Sequence, residues 1–136
     1  IFSFPIDKNE IATAILSNKT NLKKIITIIH KEVRIRMKYF LKKNKKSKIV
    51  ILDIPLLLEN KINNKHDILI FVDSKKKDIE KRIKKRVNFN RKLLNKFKKI
   101  QLSSAYKKKK SDFIIKNDFT KKSVKIGINN ILNQIN

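Results

Sequence analysis

Two arginines, Arg82 and Arg86, lie four residues apart in a segment with a helical pattern. At 3.6 residues per turn, this spacing places both guanidinium groups on one helix face, about 6 Å apart along the axis. Two planar cations on one face suit a polyphosphate, whose charge is spread over several oxygens. Asp78 lies four residues before Arg82, so an exposed ladder of ion pairs explains the same spacing. On spacing alone we favour the ion-pair ladder.

The stretch "KIVILDIPLLLEN" places acids at the end of an apolar run, with Asp53 inside it and Glu59 after it. In open α/β sheets, ligands bind beyond the carboxyl ends of the strands. One interpretation is that Pro55–Glu59 walls a ligand pocket, with Glu59 hydrogen-bonded to the ligand or to a polar neighbour. In the other, Leu56–Leu58 belong to the core and Glu59 caps a short helix. The residues leave both interpretations open.

Two further polar side chains, His30 and Asn117, are candidates for a site. His30 lies at helical steps from Ile26 and Ile29, on the edge of an apolar face. No Ser, Cys or Asp is placed by the sequence to complete a triad with it, and no second His lies at metal-ligand spacing. A His in this pattern is typical of a core edge. Asn117 follows a short apolar segment, and because Asn tolerates turn geometry it either orders that loop or contacts a ligand.

Several helices are predicted to position these groups. A long amphipathic helix is predicted over "TNLKKIITIIHKEVRIRMKYFLKK", where apolar residues recur at steps of three and four. A shorter helix is predicted around Asn9–Leu16. From Ser74 to about Lys110 the pattern is helical with a break near Asn88–Asn90. "TKKSVKIGINNILNQI" closes the chain as a helix.

Three short apolar segments predict strands: "KIVILDI", "DILIFVD" and "DFIIKN". The first two are continuous and rich in β-branched residues, which is typical of strands buried on both faces of a parallel sheet. Strands separated by helices predict an α/β fold. Three strands would leave one sheet edge bare. We therefore expect a missing βαβ-sized piece, roughly 30 residues or more, before Ile1.

The composition limits the class of protein. Lys and Arg number 36 and Asp and Glu 11, giving a formal charge of +25. Such a charge favours a polyanionic partner. However, the lysines are spread among apolar residues, and the abundance of Lys, Ile and Asn is typical of an AT-biased genome. The absence of Cys excludes disulfides, and no apolar run reaches the roughly 18–20 residues of a membrane span. We expect a cytoplasmic protein without a membrane partner.

Six segments, in order, resemble the motifs of dephospho-coenzyme A kinases. "ILDIPLLLEN" resembles the family's strand followed by Pro-Leu-Leu, an apolar residue and Glu. "DIEKRIKKR" resembles its lid helix, with arginines four apart. The other matching segments are "DKNEIATAIL", "IITIIHKEV", "DILIFVD" and "QLSSAYKKKKSDFIIKN". The resemblance covers nearly all of the chain.

The resemblance implies a P-loop-kinase-like fold, a three-layer parallel sheet that is incomplete here, with a helical substrate region and a helical lid. The implied reaction transfers the γ-phosphoryl of ATP, with Mg²⁺, to the ribose 3′-hydroxyl of dephospho-coenzyme A. The expected divisions of this one domain are a coenzyme A-side helical region at 1–47, core strands at 48–74, a lid at 75–110, and a last strand and helix at 111–136.

The resemblance also implies site residues. The expected ATP and phosphate contacts are Arg82, Arg86 and Asn117, and with the family register we favour this role over the ion-pair ladder. The expected substrate contacts are His30, Pro55, Leu56, Leu57 and Glu59. Asp53 would either orient a metal-bound water or be a solvated strand end, and we assign no catalytic residue within the chain.

The chain departs from the family pattern at several positions. Lys31 stands in place of a Pro, Ile79 in place of a Gln and Ser111 in place of an Ala, and the Gly expected after Asn117 is absent or replaced by Phe119. The phosphate-binding loop G-x-x-x-x-G-K-[ST] is not in the sequence, whose single glycine is Gly127. We therefore expect an N-terminally truncated member that is inactive alone. The alternative suggested by the charge is a small nucleic-acid-binding, ribosome-associated protein, although no motif for specific nucleic-acid binding is present.

Overall fold

A computed structural model describes residues 4–135 as six helices and two strands. They fall into two compact units, one made of the described residues up to Ile62 together with Arg91–Ile100, the other of Asn63–Asn90 and residues 101–135. In chain order the elements are α1 (Lys8–Ser17), α2 (Lys19–Lys43), β1 (Ile70–Asp73), α3 (Lys76–Lys84), α4 (Arg91–Ile100), α5 (Ser104–Lys110), β2 (Phe113–Lys116) and α6 (Lys121–Ile135).

The first unit is helical, and side-chain caps set the starts of its first two helices. Asp7 Oδ1 accepts the Asn9 N–H at 2.8 Å before α1, and Asn18 Oδ1 accepts the Thr20 N–H at 2.9 Å before α2. Each cap satisfies a backbone donor that has no partner inside the helix. The predicted long helix is confirmed as α2, and the predicted shorter helix is confirmed as α1.

The third helix of this unit, α4, is joined to the end of α1 by a lysine. Lys96 Nζ donates to the carbonyl oxygens of Ile15 and Leu16. These are carbonyls of the last helical turn, where a cation is favoured by the negative end of the helix dipole. The buried residues of this unit, among those the structure describes, are Ile15, Leu22 and Ile62.

The prediction of a strand over Lys48–Ile54 is wrong, because the structure has no strand between α2 and β1. Burial nevertheless alternates along the segment: Val50, Leu52 and Ile54 are half-buried, while Ile51 is 83% exposed. Alternation of this kind is what a strand produces. A strand also requires ladder hydrogen bonds to a neighbour, and no strand of its own unit is described. The segment therefore has the burial pattern of a strand without the pairing.

The second unit contains a two-stranded parallel sheet, in which Ile70 pairs with Phe113 and Asp73 with Lys116. The strands predicted at "DILIFVD" and "DFIIKN" are confirmed, the first shortened to its last four residues. Before the sheet, Asp112 Oδ2 accepts the Leu69 N–H at 2.7 Å, and the Leu69 carbonyl accepts the Asp112 N–H at 2.8 Å. This reciprocal pair fixes the register. The coarse α/β prediction is confirmed by these parallel strands and their helices.

Helix α6 packs against β2 at its glycine. A Cβ built on Gly127 would lie 2.9 Å from Cγ2 of Ile115, a residue that is 6% exposed. The absence of a side chain therefore lets α6 approach the strand closely. Ile131, one turn further on, is also buried.

The predicted helical segment from Ser74 to Lys110 consists of three helices. The predicted break near Asn88–Asn90 is confirmed, and a second break occurs at 101–103. Among the described residues, no helix is both long and apolar enough to cross a membrane.

Candidate functional site

The carboxyl edge of the parallel sheet brings together three polar groups. β1 ends at Asp73 and β2 at Lys116, so Asn117 follows directly beyond the edge. The Asn117 N–H donates to the Asp73 carbonyl at 2.7 Å. Lys108 of α5 reaches the Asp73 carboxylate with an Nζ–Oδ2 distance of 2.6 Å. In open α/β sheets this edge is the usual ligand side.

The loop after β2 is held in a tight turn by Asn117. Its side-chain Oδ1 accepts the Phe119 N–H at 2.8 Å, the Asx-turn contact for which Asn is suited. Phe119 has φ of 68°, in the left-handed region that favours glycine. The loop therefore folds back towards α3 and α6 around an unusual backbone position.

Asp118 is the centre of a hydrogen-bond network at the start of α6. It accepts hydrogen bonds from the Ser123 hydroxyl, the Thr120 hydroxyl and the Thr120 N–H, and these lower the pKa of Asp118 from 3.8 to about 2. The Thr120 hydroxyl in turn accepts the Ser123 N–H at 3.2 Å, a helix N-cap. Because an acid already satisfies donors at this helix start, we do not assign it as an anion site.

An open groove of about 450 Å³ lies beside this loop. Its wall contains three cations, Arg82, Lys121 and Lys125, next to the amide of Asn117 and the ring of Phe119. Val124 and Ile128 supply an apolar part. A smaller groove of about 330 Å³ shares Arg82 and Phe119 and adds Asp78, Lys81, Lys85 and Asp118. The cationic wall makes the larger groove a candidate site for an anionic ligand.

Arg82 and Phe119 line both grooves. The Arg82 guanidinium carbon lies 4.5 Å from the centroid of the Phe119 ring, within cation–π distance. In the part of the chain that the structure describes, no ion pair joins Asp78 to Arg82, although both line the smaller groove. The ion-pair ladder is therefore not what holds Arg82.

The prediction that Arg82 and Arg86 share a helix face is wrong. α3 ends at Lys84, and Arg86 lies in the turn that follows. The Arg86 N–H donates to the Ile83 carbonyl, three residues back, at 3.1 Å. A final bond to the third residue back tightens the last turn and ends the helix. Arg86 is not among the residues lining either groove, so we do not include its predicted phosphate contact in the proposed site.

The predicted substrate-side residues all lie in the first unit. Pro55 is exposed, and Leu56, Leu57 and Glu59 are half-buried in a turn spanning 55–61. Leu56 has φ of 55°, and its carbonyl accepts both the backbone N–H and the side-chain amide of Asn60, at 3.1 and 2.9 Å. This turn contains no helix for Glu59 to cap, and Leu56–Leu58 are not fully buried.

His30 lies on α2, one helical turn before a residue that contacts this turn. Arg34, four residues on, donates from Nη2 to the Asn60 carbonyl at 2.7 Å. Residues four apart share a helix face, so His30 is on the side of α2 that adjoins the turn. His30 Nδ1 is buried without a hydrogen-bond partner among the described residues. The interpretation of His30 as a satisfied core-edge residue is therefore incomplete.

The structure offers no metal centre among the residues it describes, where no group of three or more His, Cys, Asp and Glu side chains converges. Asp53 is exposed. A metal role for Asp53 stays a prediction that no neighbouring ligand supports.

Sequence reasoning identified only Arg82 and Asn117 among the residues of the groove, and the contributors it missed include Phe119, Lys121 and Lys125. The lysines lie in a chain so rich in Lys that no single one gives a signal. Phe119 did have a signal, because a residue replacing an expected Gly after Asn117 must adopt the backbone conformation that the Gly would have adopted.

Comparisons with known proteins agree with one another. A family model described as dephospho-CoA kinase matches residues 5–123. The dephospho-CoA kinase of Wolbachia pipientis wMel is 32% identical over 133 residues, covering 96% of this chain and 68% of the relative. That of Fusobacterium nucleatum is 36% identical over 113 residues, covering 83% of this chain and 58% of the relative. That of a Wolbachia from Brugia malayi is 27% identical over 132 residues, covering 96% and 67%.

Proposed function

The chain belongs to the dephospho-CoA kinase family, and we propose that it is part of an enzyme that phosphorylates the ribose 3′-hydroxyl of dephospho-coenzyme A with ATP. The product would be coenzyme A. The family match over residues 5–123 supports the reaction class. The chain spans 58–68% of the length of the three relatives compared, so the activity is proposed for the whole protein.

The cationic groove of the second unit is the proposed contact for ATP. Arg82, Lys121 and Lys125 converge there with the Asn117 side chain at the carboxyl edge of the sheet, and this is the observation that carries the assignment. Phosphoryl transfer depends mainly on positioning and on neutralising charge. A guanidinium offers a fork of donors to phosphate oxygens, while the lysines act as point charges.

The turn at 55–61 and the adjoining face of α2 are the proposed contacts for dephospho-coenzyme A. His30 Nδ1 is a buried polar atom without a hydrogen-bond partner among the described residues, and such atoms are costly unless a ligand or water satisfies them. The half-buried leucines of the turn, Leu56 and Leu57, would contact apolar parts of the substrate. Glu59, also half-buried, would accept hydrogen bonds from its hydroxyl or amide groups.

Two parts of the proposed enzyme are not assigned to residues of this chain. The sequence contains no G-x-x-x-x-G-K-[ST] loop, whose backbone N–H groups and lysine would cradle the phosphates. Mg²⁺ usually reaches such sites held by phosphates and one or two carboxylates, and the described residues offer no cluster for it. We propose that both features belong to sequence outside these residues, as part of a three-layer P-loop-kinase-like fold.

A titration followed by two-dimensional amide NMR tests both assignments. ATP should shift the resonances of residues 117–125 and the Arg82 side chain, whereas dephospho-coenzyme A should shift those of His30 and residues 55–61. A short DNA duplex is the control for the +25 charge, since its binding should be diffuse and should disappear as salt rises. If ATP shifted the same scattered lysines as DNA, with the same salt dependence, the proposed site would be wrong.

A further inference from the structure

The conformation of Phe119 is one that a phenylalanine rarely adopts. Its φ of 68° lies in the left-handed region, where the Cβ of an L-residue is crowded. A backbone of this kind persists only when its surroundings hold it there. The surroundings here are specific. Asn117 Oδ1 accepts the Phe119 N–H, and the Asn117 N–H is bonded to the Asp73 carbonyl on β1. The position of the Phe119 ring is therefore tied to the sheet edge.

The ring held in this way supports Arg82. The guanidinium carbon lies 4.5 Å from the ring centroid, and the ring itself stays 39% exposed. Both residues line the larger groove. Because the ring is so exposed, it adds little apolar area to the buried core. Its cation–π contact with the Arg82 guanidinium restrains the position of that group.

The way in which the ring holds Arg82 matters for binding. A cation–π contact uses the face of the guanidinium, whereas hydrogen bonds to phosphate use the N–H groups at its edge. A carboxylate partner would occupy that edge. An aromatic partner restrains the long Arg side chain and leaves its donors available for a bidentate contact with an oxyanion.

We propose that Phe119 is a positioning residue that orders the Arg82 guanidinium for the phosphates of ATP. This inference rests on the proposed function, because it assumes that ATP contacts Arg82. It adds a role for the side chain of Phe119, which either replaces the family's glycine or follows Asn117 where that glycine is absent. Glycine would adopt the same backbone conformation without strain, but it would leave the Arg82 guanidinium without its cation–π partner.

Three substitutions of Phe119 in the 136-residue chain separate the ring from the backbone. Phe119→Leu removes the ring and keeps a side chain at positive φ. Phe119→Gly removes the ring and relieves the backbone. Phe119→Tyr keeps an aromatic ring and a side chain at positive φ. ATP affinity from the NMR titration should fall about two- to fivefold in the Leu and Gly variants, the scale of one exposed cation–π contact. It should be retained in the Tyr variant.

Three further measurements exclude a general structural effect. The Arg82 side-chain Hε resonance of the ligand-free chain should lose its ring-current shift in the Leu and Gly variants and keep it in the Tyr variant. In an Arg82→Ala background, Phe119→Leu should weaken ATP binding no further. The Gly variant should melt at a higher temperature than the Leu variant while binding ATP equally weakly.

The outcomes distinguish the two proposals. If ATP shifts neither Arg82 nor residues 117–125 in the unsubstituted chain, the proposed ATP site is wrong and this inference falls with it. If Arg82→Ala weakens ATP binding and Phe119→Leu does not, the ATP site stands and the role of Phe119 is refuted. Weaker binding in the Leu and Gly variants, with the Tyr variant unchanged, supports both.

Discussion

The ammonium group of Lys108 lies 2.6 Å from the carboxylate of Asp73, joining α5 to the last residue of β1. The same ammonium lies 5.8 Å from the centroid of Phe71, on the same strand. Side chains two residues apart on a strand project from the same face. Lys108 therefore holds α5 against one face of the sheet, while Gly127 brings α6 against Ile115 on the other.

The first prediction concerns this lysine. Lys108→Ala should lower the free energy of unfolding by roughly 1 kcal/mol, because it removes a half-exposed ion pair and a weak cation–π contact. Lys109→Ala, at an exposed neighbouring position, should change it by less than about 0.5 kcal/mol. Urea unfolding followed by circular dichroism measures both. Equal effects of the two substitutions would show that Lys108 is only another solvated lysine.

The second prediction concerns Gly127. Alanine would gain about 1 kcal/mol of helix propensity, but its Cβ would meet Ile115 Cγ2 at 2.9 Å, and overpacking costs about 1–3 kcal/mol. We expect Gly127→Ala to destabilise the chain by about 1 kcal/mol net. Asn129→Ala, exposed on the same helix, should be neutral or slightly stabilising.

The sign of the Gly127 effect depends on its neighbour, and a double substitution tests this. Ile115→Ala removes the side-chain atoms that a new Cβ would meet. In that background Gly127→Ala should become stabilising, since only the helix-propensity gain and cavity filling remain. Chemical denaturation of the four proteins gives the interaction energy. Additive effects would mean that the close approach of α6 to β2 does not limit the side chain at 127.

The third prediction is a pH dependence from Asp118, whose pKa is lowered to about 2 by its hydrogen bonds from Ser123 and Thr120. A lowered folded-state pKa contributes stability that is fully present above the unfolded value of 3.8 and is lost as the pH falls towards 2. The melting temperature of the original chain should therefore fall towards that of Asp118→Asn between about pH 4 and pH 2.

Other acids also titrate in this range, so the informative quantity is the difference between the two proteins. Above about pH 5 the difference in melting temperature should be constant, with Asp118→Asn lower. Asp53→Asn, at an exposed position, controls for the loss of one negative charge. A difference between the original chain and Asp118→Asn that is unchanged from pH 7 to pH 2 would contradict the network.

Patterns local to one segment were predictable from the sequence, and patterns that depend on distant partners were not. The apolar stripe of α2 and the β-branched composition of the two sheet strands are properties of residues close in sequence, and these two strands also find a partner in each other. The segment 48–54 has an equally clear apolar run and alternating burial, yet a strand also needs a paired neighbour. Periodicity within the segment gives no information about that neighbour.

The candidate site was predictable to a similar degree. Arg82 and Asn117 were proposed together and line one groove. The spacing predicts Arg86 on the same helix face as Arg82. A spacing of four residues indicates a shared face only while the helix continues, and α3 ends at Lys84. No Gly or Pro near Lys85 signals the end of α3 in the sequence, and the helix ends where the Arg86 N–H bonds to the Ile83 carbonyl.

The fourth prediction concerns activity. The 136-residue chain should not phosphorylate dephospho-coenzyme A, because its sequence has no phosphate-binding loop to supply the backbone donors and the lysine that stabilise the transferring phosphoryl group. Incubation with ATP, Mg²⁺ and dephospho-coenzyme A, with coenzyme A measured by chromatography, checks this. Formation of coenzyme A at a higher rate than in a heat-denatured control would contradict the need for that loop.

The fifth prediction separates the two arginines by their contribution to ATP binding. Arg82→Ala should weaken binding by roughly tenfold or more, since hydrogen bonds between charged groups contribute about 1.5–3 kcal/mol each. Arg82→Lys should restore only part of this, because a point charge replaces a planar fork. Arg86→Ala should have less than about a threefold effect, because Arg86 lies beyond the end of α3 and lines neither groove.

Lys84→Ala is the matched control, since it removes one positive charge from the last residue of α3, and Lys84 lies outside the residues that line the grooves. Affinities from the NMR titration at two salt concentrations separate a local contact from general attraction, because long-range attraction is screened by salt. Arg82 should stay distinct from the other two positions at the higher salt concentration. If Arg82, Arg86 and Lys84 gave equal losses that vanish together with added salt, ATP would be attracted by net charge alone, and Arg82 would have no specific role.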